Sequence, residues 1–310
     1  MRVLVTGAGG LLAAAIIREF QSGSDGSAAS PDAVIALPRA ALDITDAAAV
    51  SRVVRDHRPD VILNCAAYND VDGAEKDAFT AVAVNALAVR HLASAAVETG
   101  VTLVHYGTDF VFDGEASAPY TEEDRTNPRS VYSASKLLGE WFALEHPHAY
   151  VLRVESLFGE PGPDGGRQGS LGAMLSRLNA GETVPVFVDR TVSPTYTTDV
   201  ARATRALLEQ RAAPGLYHCV NTGAATWAEV AAEVARLLGI HEPRFAPLTL
   251  ETVNLEATRP KYCALSSAKL ARHGFTMPSW QDALARFLGA RRNRASAERV
   301  GGEGGQARAD

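Results

Sequence analysis

The sequence predicts an α/β fold of the Rossmann type, a doubly wound parallel sheet with a smaller substrate domain towards the C-terminus. Three observations carry that expectation. Short runs of branched apolar residues alternate with amphipathic stretches of helical length through the first half of the chain. A glycine turn, Gly7-Ala8-Gly9-Gly10, separates the first strand from the first helix. Tyr132 and Lys136 stand four apart on a helix just ahead of the fifth strand.

The totals agree. A chain of 310 residues with 46% hydrophobic and 21% charged residues suits one large or two medium domains with a sizeable core. The formal net charge of −6 leaves no basic footprint, so no nucleic-acid partner is expected. Cys65, Cys219 and Cys263 are scattered and odd in number, which fits a reducing, cytoplasmic setting without a disulfide framework. No apolar run is expected to cross a membrane, and the chain opens on a strand and glycine turn instead of a leader.

Taken in order, Arg2–Thr6 reads as a buried strand, followed by the glycine turn and a helix from Leu11 to Phe20. In this context glycines let backbone N–H groups approach a pyrophosphate at the helix N-terminus. Ala13 occupies the third glycine position, where only close helix–strand packing is required. Gln21 to Pro31 reads as a surface loop, and Ala33–Leu37 as the second strand. That strand ends in Pro38-Arg39, where an acidic residue would hold the ribose of NAD. An arginine there suits a 2′-phosphate, so NADPH is expected over NADH. Asp43-Ile44-Thr45-Asp46 caps a helix through Arg55. Asp60 to Ala67 is a third strand running into small residues, with room for a nicotinamide ribose. Asp72 to Ala96 reads as strongly helical with Asn85 inside it, an asparagine either merely tolerated there or, near the cofactor, ordering a water, and Val101–Tyr106 reads as the fourth strand. His105 reads as a core histidine.

Thr108 leaves the C-terminal end of the fourth strand, the edge at which open parallel sheets bind ligands. Its hydroxyl is placed to meet a substrate oxygen beside Tyr132. On the helix that follows, Leu137, Leu138, Trp141 and Phe142 give an apolar face. An ammonium about 5 Å from a phenol, at an effective dielectric of about 20, favours the phenolate by roughly 3 kcal/mol, or about two pKa units. On this reasoning Lys136 tunes Tyr132 into a general acid or base. The fifth strand is Tyr150–Val154.

Beyond it, Gly159 to Gly169 is too rich in glycine and proline for regular structure, and is either a lid over the ligand or an idle surface loop. Helices are expected at 170–180, 199–210 and 226–238, with a strand at Gly215–Val220 returning to the sheet. Arg259 and Lys261 are candidate diphosphate contacts or surface ion pairs. The expected division is 1–153 with 189–222 for the dinucleotide and 154–188 with 223–289 for the substrate. The stretch 290–310, without apolar period, reads as a disordered tail.

Several segments together carry a family likeness. They are the Gly7/Gly10 turn, Asn64–Tyr68, Val71–Glu75, Thr108–Gly114, Tyr132-x-x-x-Lys136-Leu137-x-Gly139-Glu140, Val192–Ala201 and Arg259–Tyr262. In these the chain resembles the extended short-chain dehydrogenase/reductases, and among them the dTDP-4-dehydrorhamnose reductases, over about residues 1 to 289. The resemblance implies hydride transfer from NADPH, or NADH, to the C4 ketone of a nucleotide-linked deoxysugar. By position, Tyr132 would protonate the C4 oxygen, Lys136 would lower its pKa and hold the nicotinamide ribose, and Thr108 would orient the carbonyl. Gly7, Gly10, Leu11 and Leu12 would line the pyrophosphate, Asp43 and Ile44 the adenine, and Ala66 and Ala67 the ribose. Asp109 would help bind the sugar. Ser156 would face it, in the Arg153-Val154-Glu155-Ser156 stretch where the family often carries tryptophan. No metal ligand set and at most a homodimer are expected. The alternatives are an epimerase or dehydratase of the same fold, or a non-catalytic subunit resembling the regulatory subunit of methionine adenosyltransferase. An adjacent Asp-Glu pair would mark a dehydratase, and no glutamate follows Asp109.

Overall fold

In the computed structural model, β1 (Arg2–Thr6), α1 (Leu11–Ser22), β2 (Ala33–Leu37), α2 (Ala47–His57) and β3 (Val61–Asn64) open the chain. α3 (Val71–Lys76), α4 (Ala78–Val82), a π-helical turn (Ala83–Leu87) and α5 (Ala88–Thr99) lead to β4 (Thr102–Thr108). A 3₁₀ turn (Asp109–Val111) and α6 (Val131–Leu144) precede β5 (Ala149–Val154). There follow β6 (Leu157–Phe158), α7 (Gly169–Asn179), β7 (Val184–Phe187), β8 (Thr191–Val192), β9 (Thr195–Tyr196), α8 (Thr197–Glu209) and β10 (Gly215–His218). The chain closes with β11 (Ala225–Thr226), α9 (Trp227–Leu238), β12 (Phe245–Leu248), α10 (Ala268–Arg272) and α11 (Trp280–Glu303). The structure describes residues 1–22, 32–162 and 169–303, without the side chains of 295–303. Most of the expected loop at Gln21–Pro31, and the centre of the Gly/Pro-rich segment, fall outside those residues.

Six strands form one parallel sheet in the order β10-β5-β4-β3-β1-β2, the doubly wound arrangement expected. The period of two along β1 explains its two covers. Val3 and Val5 face α1 and α8 in a core with Ile16, Phe20 and Leu207. Leu4 faces the other way, into a core with Val50, Val54 and Leu92 of α2 and α5. A separate apolar core gathers Phe158, Leu171, Leu175, Val186, Trp227 and Phe287 from α7, α9, α11 and the small β7–β12 pair. Trp227 is a core residue, as its sequence context suggests.

Three expectations need correction. The single helix at 72–96 is interrupted at Asp77, whose carboxylate accepts from Thr80 N at 3.1 Å and caps a new helix. A short acidic side chain competes with the helix for backbone donors, and here it wins. The run Ala78–Thr99 is long and apolar enough, by composition, to cross a membrane. Half of it is buried against the rest of the fold, as suits a core helix. Finally, the expected tail is helical as far as Glu303, because its Ala, Arg and Glu residues are good helix formers even without an apolar face.

Candidate active site

The glycine turn is fixed by contact, not by sequence habit alone. Gly7 has φ +64°, and a Cβ there would lie 2.7 Å from both Cα and N of Ala66. No side chain fits, because β1 and β3 are neighbours and their C-terminal turns touch. Gly10 N donates to Gly7 O at 3.0 Å, and Gly10 O receives Ala14 N, starting α1. The turn lines a cavity of about 570 Å³ together with Arg39, Asp43, Ile44, Ala66 and Ala67. Seven of the sequence-derived cofactor residues thus share one cleft, and its glycine cradle fits a dinucleotide. Asp43 accepts from the N–H and hydroxyl of Thr45, which hold its carboxyl below the usual range. Ile44 is buried in the core beneath, so its side chain supports the cleft as much as it lines it.

A second cavity of about 450 Å³ adjoins the first, sharing Gly10, Ala66 and Ala67 with it. Leu11 and Leu12 open onto this one, with Thr108, Asp109, Tyr132, Lys136, Ser156 and Arg259. All the expected catalytic and substrate residues therefore meet in one space.

Tyr132 enters it from the first turn of α6. Ser130 and Ser133 cap that helix reciprocally, and Glu75 Oε1 accepts the next free N–H, from Val131, at 2.8 Å. The ring is 8% exposed and packs edge-on to Phe110 at 5.9 Å. Burial pushes the phenol up to about 12, while a hydrogen bond with the Thr108 side chain pulls the other way. Lys136 is not among the groups that act on it. Its Nζ donates to Tyr106 O at 2.6 Å, and burial brings the ammonium down to about 8. The expectation that Lys136 lowers the Tyr132 pKa by about two units is therefore overturned in the protein alone. Desolvation outweighs a charge that is tied elsewhere. The result is a phenol fully protonated at neutral pH, the form that a proton donor requires.

The approach of α6 to the sheet depends on two glycines and on partners remote in sequence. A Cβ on Gly139 would collide with Asn85 O, and one on Gly107 with Glu140 Oε1. Asn85, in the π turn, accepts from Tyr68 N at 2.8 Å and donates to Tyr68 O and Ser135 Oγ, both at 3.0 Å. It thereby ties the loop after β3 to the helix of Tyr132 and Lys136. Here it is a structural clamp, a role that only its partners reveal. Below, Glu140 and Arg153 form a buried ion pair at 2.8 Å. His105 Nδ1 accepts one bond, from Asn64 Nδ2 at 3.1 Å, and burial holds its pKa well below the ordinary histidine value, so the ring is neutral.

Three further residues stand here without having been given a role: Glu155 and Arg190 line the cavity, and Cys263 lies behind them. Asp109, Glu155 and Cys263 present ligand atoms within 4.8 Å of one another. Burial raises Asp109 to about 6 and Glu155 well above the usual range, against the pull of Arg190. Arg190 Nη2 lies 3.7 Å from Cys263 Sγ, and its guanidinium sits 5.7 Å from the Phe110 ring. A glutamate directly after a fully buried strand was one signal, and Cys263 stands where the resembled family usually has a serine; Arg190 gave none. Ser156 lies beside Glu155 with φ +43°, a conformation L residues adopt rarely. Arg259 lines the cavity but is paired with Asp72 at 2.8 Å, and Lys261 pairs with Glu251 at the surface, away from the cavity.

Residues 1–293 match the family model described as the RmlD substrate binding domain. The chain belongs to this family. Among its relatives is a dTDP-4-dehydrorhamnose reductase of Streptomyces griseus, 40% identical over 302 residues and 95% of each chain. A probable dTDP-4,6-dihydroxy-2-methyloxan-3-one 4-ketoreductase of Streptomyces antibioticus is 36% identical over 92% of this chain and 93% of its own. A solved dTDP-4-dehydrorhamnose reductase of Bacillus anthracis, in complex with NADP, superposes with a TM-score of 0.85 at 32% identity, covering 93% of this chain and 98% of that one. The RmlD relatives thus share the six-stranded architecture and nearly its whole length.

Proposed function

We propose that the protein is an NADPH-dependent reductase of the C4 ketone of a deoxysugar carried on dTDP. The observation that carries this reading is the continuity of the two cavities. A dinucleotide on the glycine cradle leads, past Ala66 and Ala67, to the space that holds Tyr132, Thr108 and Lys136. The names of the relatives, and the NADP of the Bacillus anthracis structure, support the same chemistry. NADPH supplies the hydride. The chain's own residues bind, orient and protonate. Gly7, Gly10, Leu11 and Leu12 receive the pyrophosphate, Asp43 and Ile44 the adenine end, Arg39 the 2′-phosphate, and Ala66, Ala67 and Lys136 the nicotinamide ribose. Thr108 holds the ketone oxygen while Tyr132 gives it a proton. Asp109 and Ser156 take sugar hydroxyls, and Arg259 lies towards the diphosphate.

The smaller Ser156 in place of the tryptophan frequent in the family leaves space over the sugar, so the hexose is open to either of the two relatives' substrates. Two separate apolar cores support a sheet-centred domain and a smaller one, at bounds near 1–153 with 189–222 and 154–188 with 223–289, although Leu270 and Met277 pack in the first core and Val192 and Tyr196 in the second. A cytoplasmic setting follows from three unpaired cysteines and a cofactor-dependent biosynthetic reaction.

The test is consumption of NADPH by purified protein with dTDP-4-keto-6-deoxysugars. Tyr132→Phe keeps the ring and loses the acid, so turnover should fall roughly 10²-fold or more. Equal turnover by both proteins would show that the proton comes from elsewhere. An epimerase would interconvert the sugars with no net loss of NADPH, and a regulatory subunit would bind NADPH without turnover. The reading also includes a homodimer. Phe79 of α4 and Trp141 and Leu144 of the adjacent α6 are exposed, Phe79 to 93%, and a second copy of the same face would cover them. Trp141→Lys should then convert a sedimenting dimer to monomer, and a wild type that sediments as a monomer would remove the proposal.

A further inference from the structure

Phe110 stands between the proton donor and the second core. Among the described residues it alone packs against both the small cluster of Tyr132, Ala74 and Ala81 and the core built by α7, α9 and α11. Its ring meets Tyr132 edge to face, with centroids 5.9 Å apart and planes at 89°. The guanidinium of Arg190 stands 5.7 Å from the centre of the same Phe110 ring. Arg190 comes just ahead of β8, and its guanidinium is held by the chain at 260–263: Nε donates to Pro260 O at 3.3 Å and Nη2 to Cys263 Sγ at 3.7 Å. The backbone is fixed there as well, since Thr191 N donates to Lys261 O and Cys263 N to Thr191 O, both at 2.8 Å. Cys263 is itself a member of the second core. A line of contacts thus runs from that core through Cys263, Arg190 and Phe110 to the phenol, and Arg190, Phe110 and Tyr132 all line the catalytic cavity.

We propose that Arg190 is a positioning residue for the reduction: anchored by Pro260 and Cys263, it holds the Phe110 ring against Tyr132 and so keeps the phenol where the ketone oxygen arrives. This rests on the reductase reading and extends it. A cation over the negative face of a ring resists its rotation, and the planar guanidinium suits that face better than an ammonium does. The edge-to-face contact with Tyr132 survives only while the Phe110 plane is fixed. The hydroxyl lies at the far end of a long side chain, so a small swing of the Tyr132 ring displaces the reacting proton by a distance that matters to the rate. Arg190 also draws the Asp109 and Glu155 carboxyls down. An effect through those carboxyls, or a direct contact with the substrate's diphosphate, would not pass through Phe110, and this difference makes the clamp testable.

A double-mutant cycle separates the routes. Arg190→Gln removes the cation and keeps a polar end for Pro260 O. Its kcat with NADPH and a dTDP-4-keto-6-deoxysugar should fall about tenfold, while KM for the sugar nucleotide and the affinity for NADPH stay within about twofold of wild type. The heavy-water isotope effect on kcat should rise, because a displaced phenol makes proton transfer slower and more nearly rate-limiting. Phe110→Leu should lose a similar factor, and R190Q/F110L no more than about twofold beyond F110L, since Arg190 acts through that ring. Arg190→Lys returns a cation to the ring and should recover part of the lost kcat. Losses that multiply in the double variant, a change confined to KM, or wild-type kcat in R190Q would each overturn the proposal. If R190Q does not fold, F110L alone must lose kcat at constant KM, and wild-type turnover by F110L overturns the proposal. Ring ¹³C resonances of Tyr132 in the free protein need no turnover, and R190Q should move them in the same direction as F110L. A wild type that consumes no NADPH with any ketosugar sinks the reductase reading, whereas Tyr132 resonances unmoved in R190Q sink the clamp itself.

Discussion

Replacing Gly7 by alanine attacks the point where fold and cofactor site are the same atoms. The residue sits at φ +64°, where an L side chain costs about 1–2 kcal/mol. Its Cβ would also come within 2.7 Å of Ala66 Cα and N, which are backbone atoms between a central strand and the cleft and cannot swing aside. Overpacking of that kind costs about 1–3 kcal/mol. Together these give about 2–5 kcal/mol, which lowers the melting temperature by roughly 5–15 °C in a domain of this size. Gly10→Ala is the matched control. Its φ is not positive, and its Cβ meets only Gly7 O, at 3.3 Å. It should leave the melting temperature of the free protein within about 3 °C, yet block the close approach of the pyrophosphate. Thermal unfolding with and without NADPH separates the two: G7A should lose both stability and the NADPH-induced rise, whereas G10A should lose the rise alone. A G7A protein that melts and responds to NADPH like the wild type would refute the steric argument.

Two further outcomes can be checked independently. Arg39→Ala should weaken NADPH about tenfold or more while leaving NADH unchanged, as measured by fluorescence titration; a wild type that already prefers NADH, or an equal loss for both, rules out a 2′-phosphate contact. Asp109→Asn should stabilise the protein at high pH. The folded Asp109 carboxyl is raised from 3.8 to about 6, so its contribution is fully present below 3.8 and lost as pH rises through about 6. D109N should therefore gain on the wild type in melting temperature at about pH 8 and by much less at about pH 4. An identical difference in melting temperature at both pH values would show that Asp109 does not carry the burial cost assigned to it.

Much of the site was legible because it depends on local rules. A strand, a glycine turn and a helix in succession place Gly7 and Gly10 at the mouth of a parallel sheet whatever the rest of the chain does. Tyr132, Lys136 and Thr108 follow from a four-residue helical spacing and a position at a strand's C-terminal end. What local rules could not supply was the balance of forces at those positions. Lys136 was expected to govern the phenol through proximity, but burial and the Tyr106 carbonyl decide the outcome, and both depend on strands remote in sequence. Asn85 looked like a tolerated helix residue until the loop at Tyr68 and the helix at Ser135 came to meet it. Asp77, by contrast, broke its helix through a local cap that composition alone undervalued.

The chain's amino-acid order therefore determined the parallel sheet, the cofactor turn and the identity of the acid, since periodicity and short-range spacing encode all three. Only the tertiary structure decided the charge state of that acid and brought Glu155 beside Asp109. Desolvation, and contact between residues on adjacent strands, are properties of the packed whole, and no window of sequence contains them.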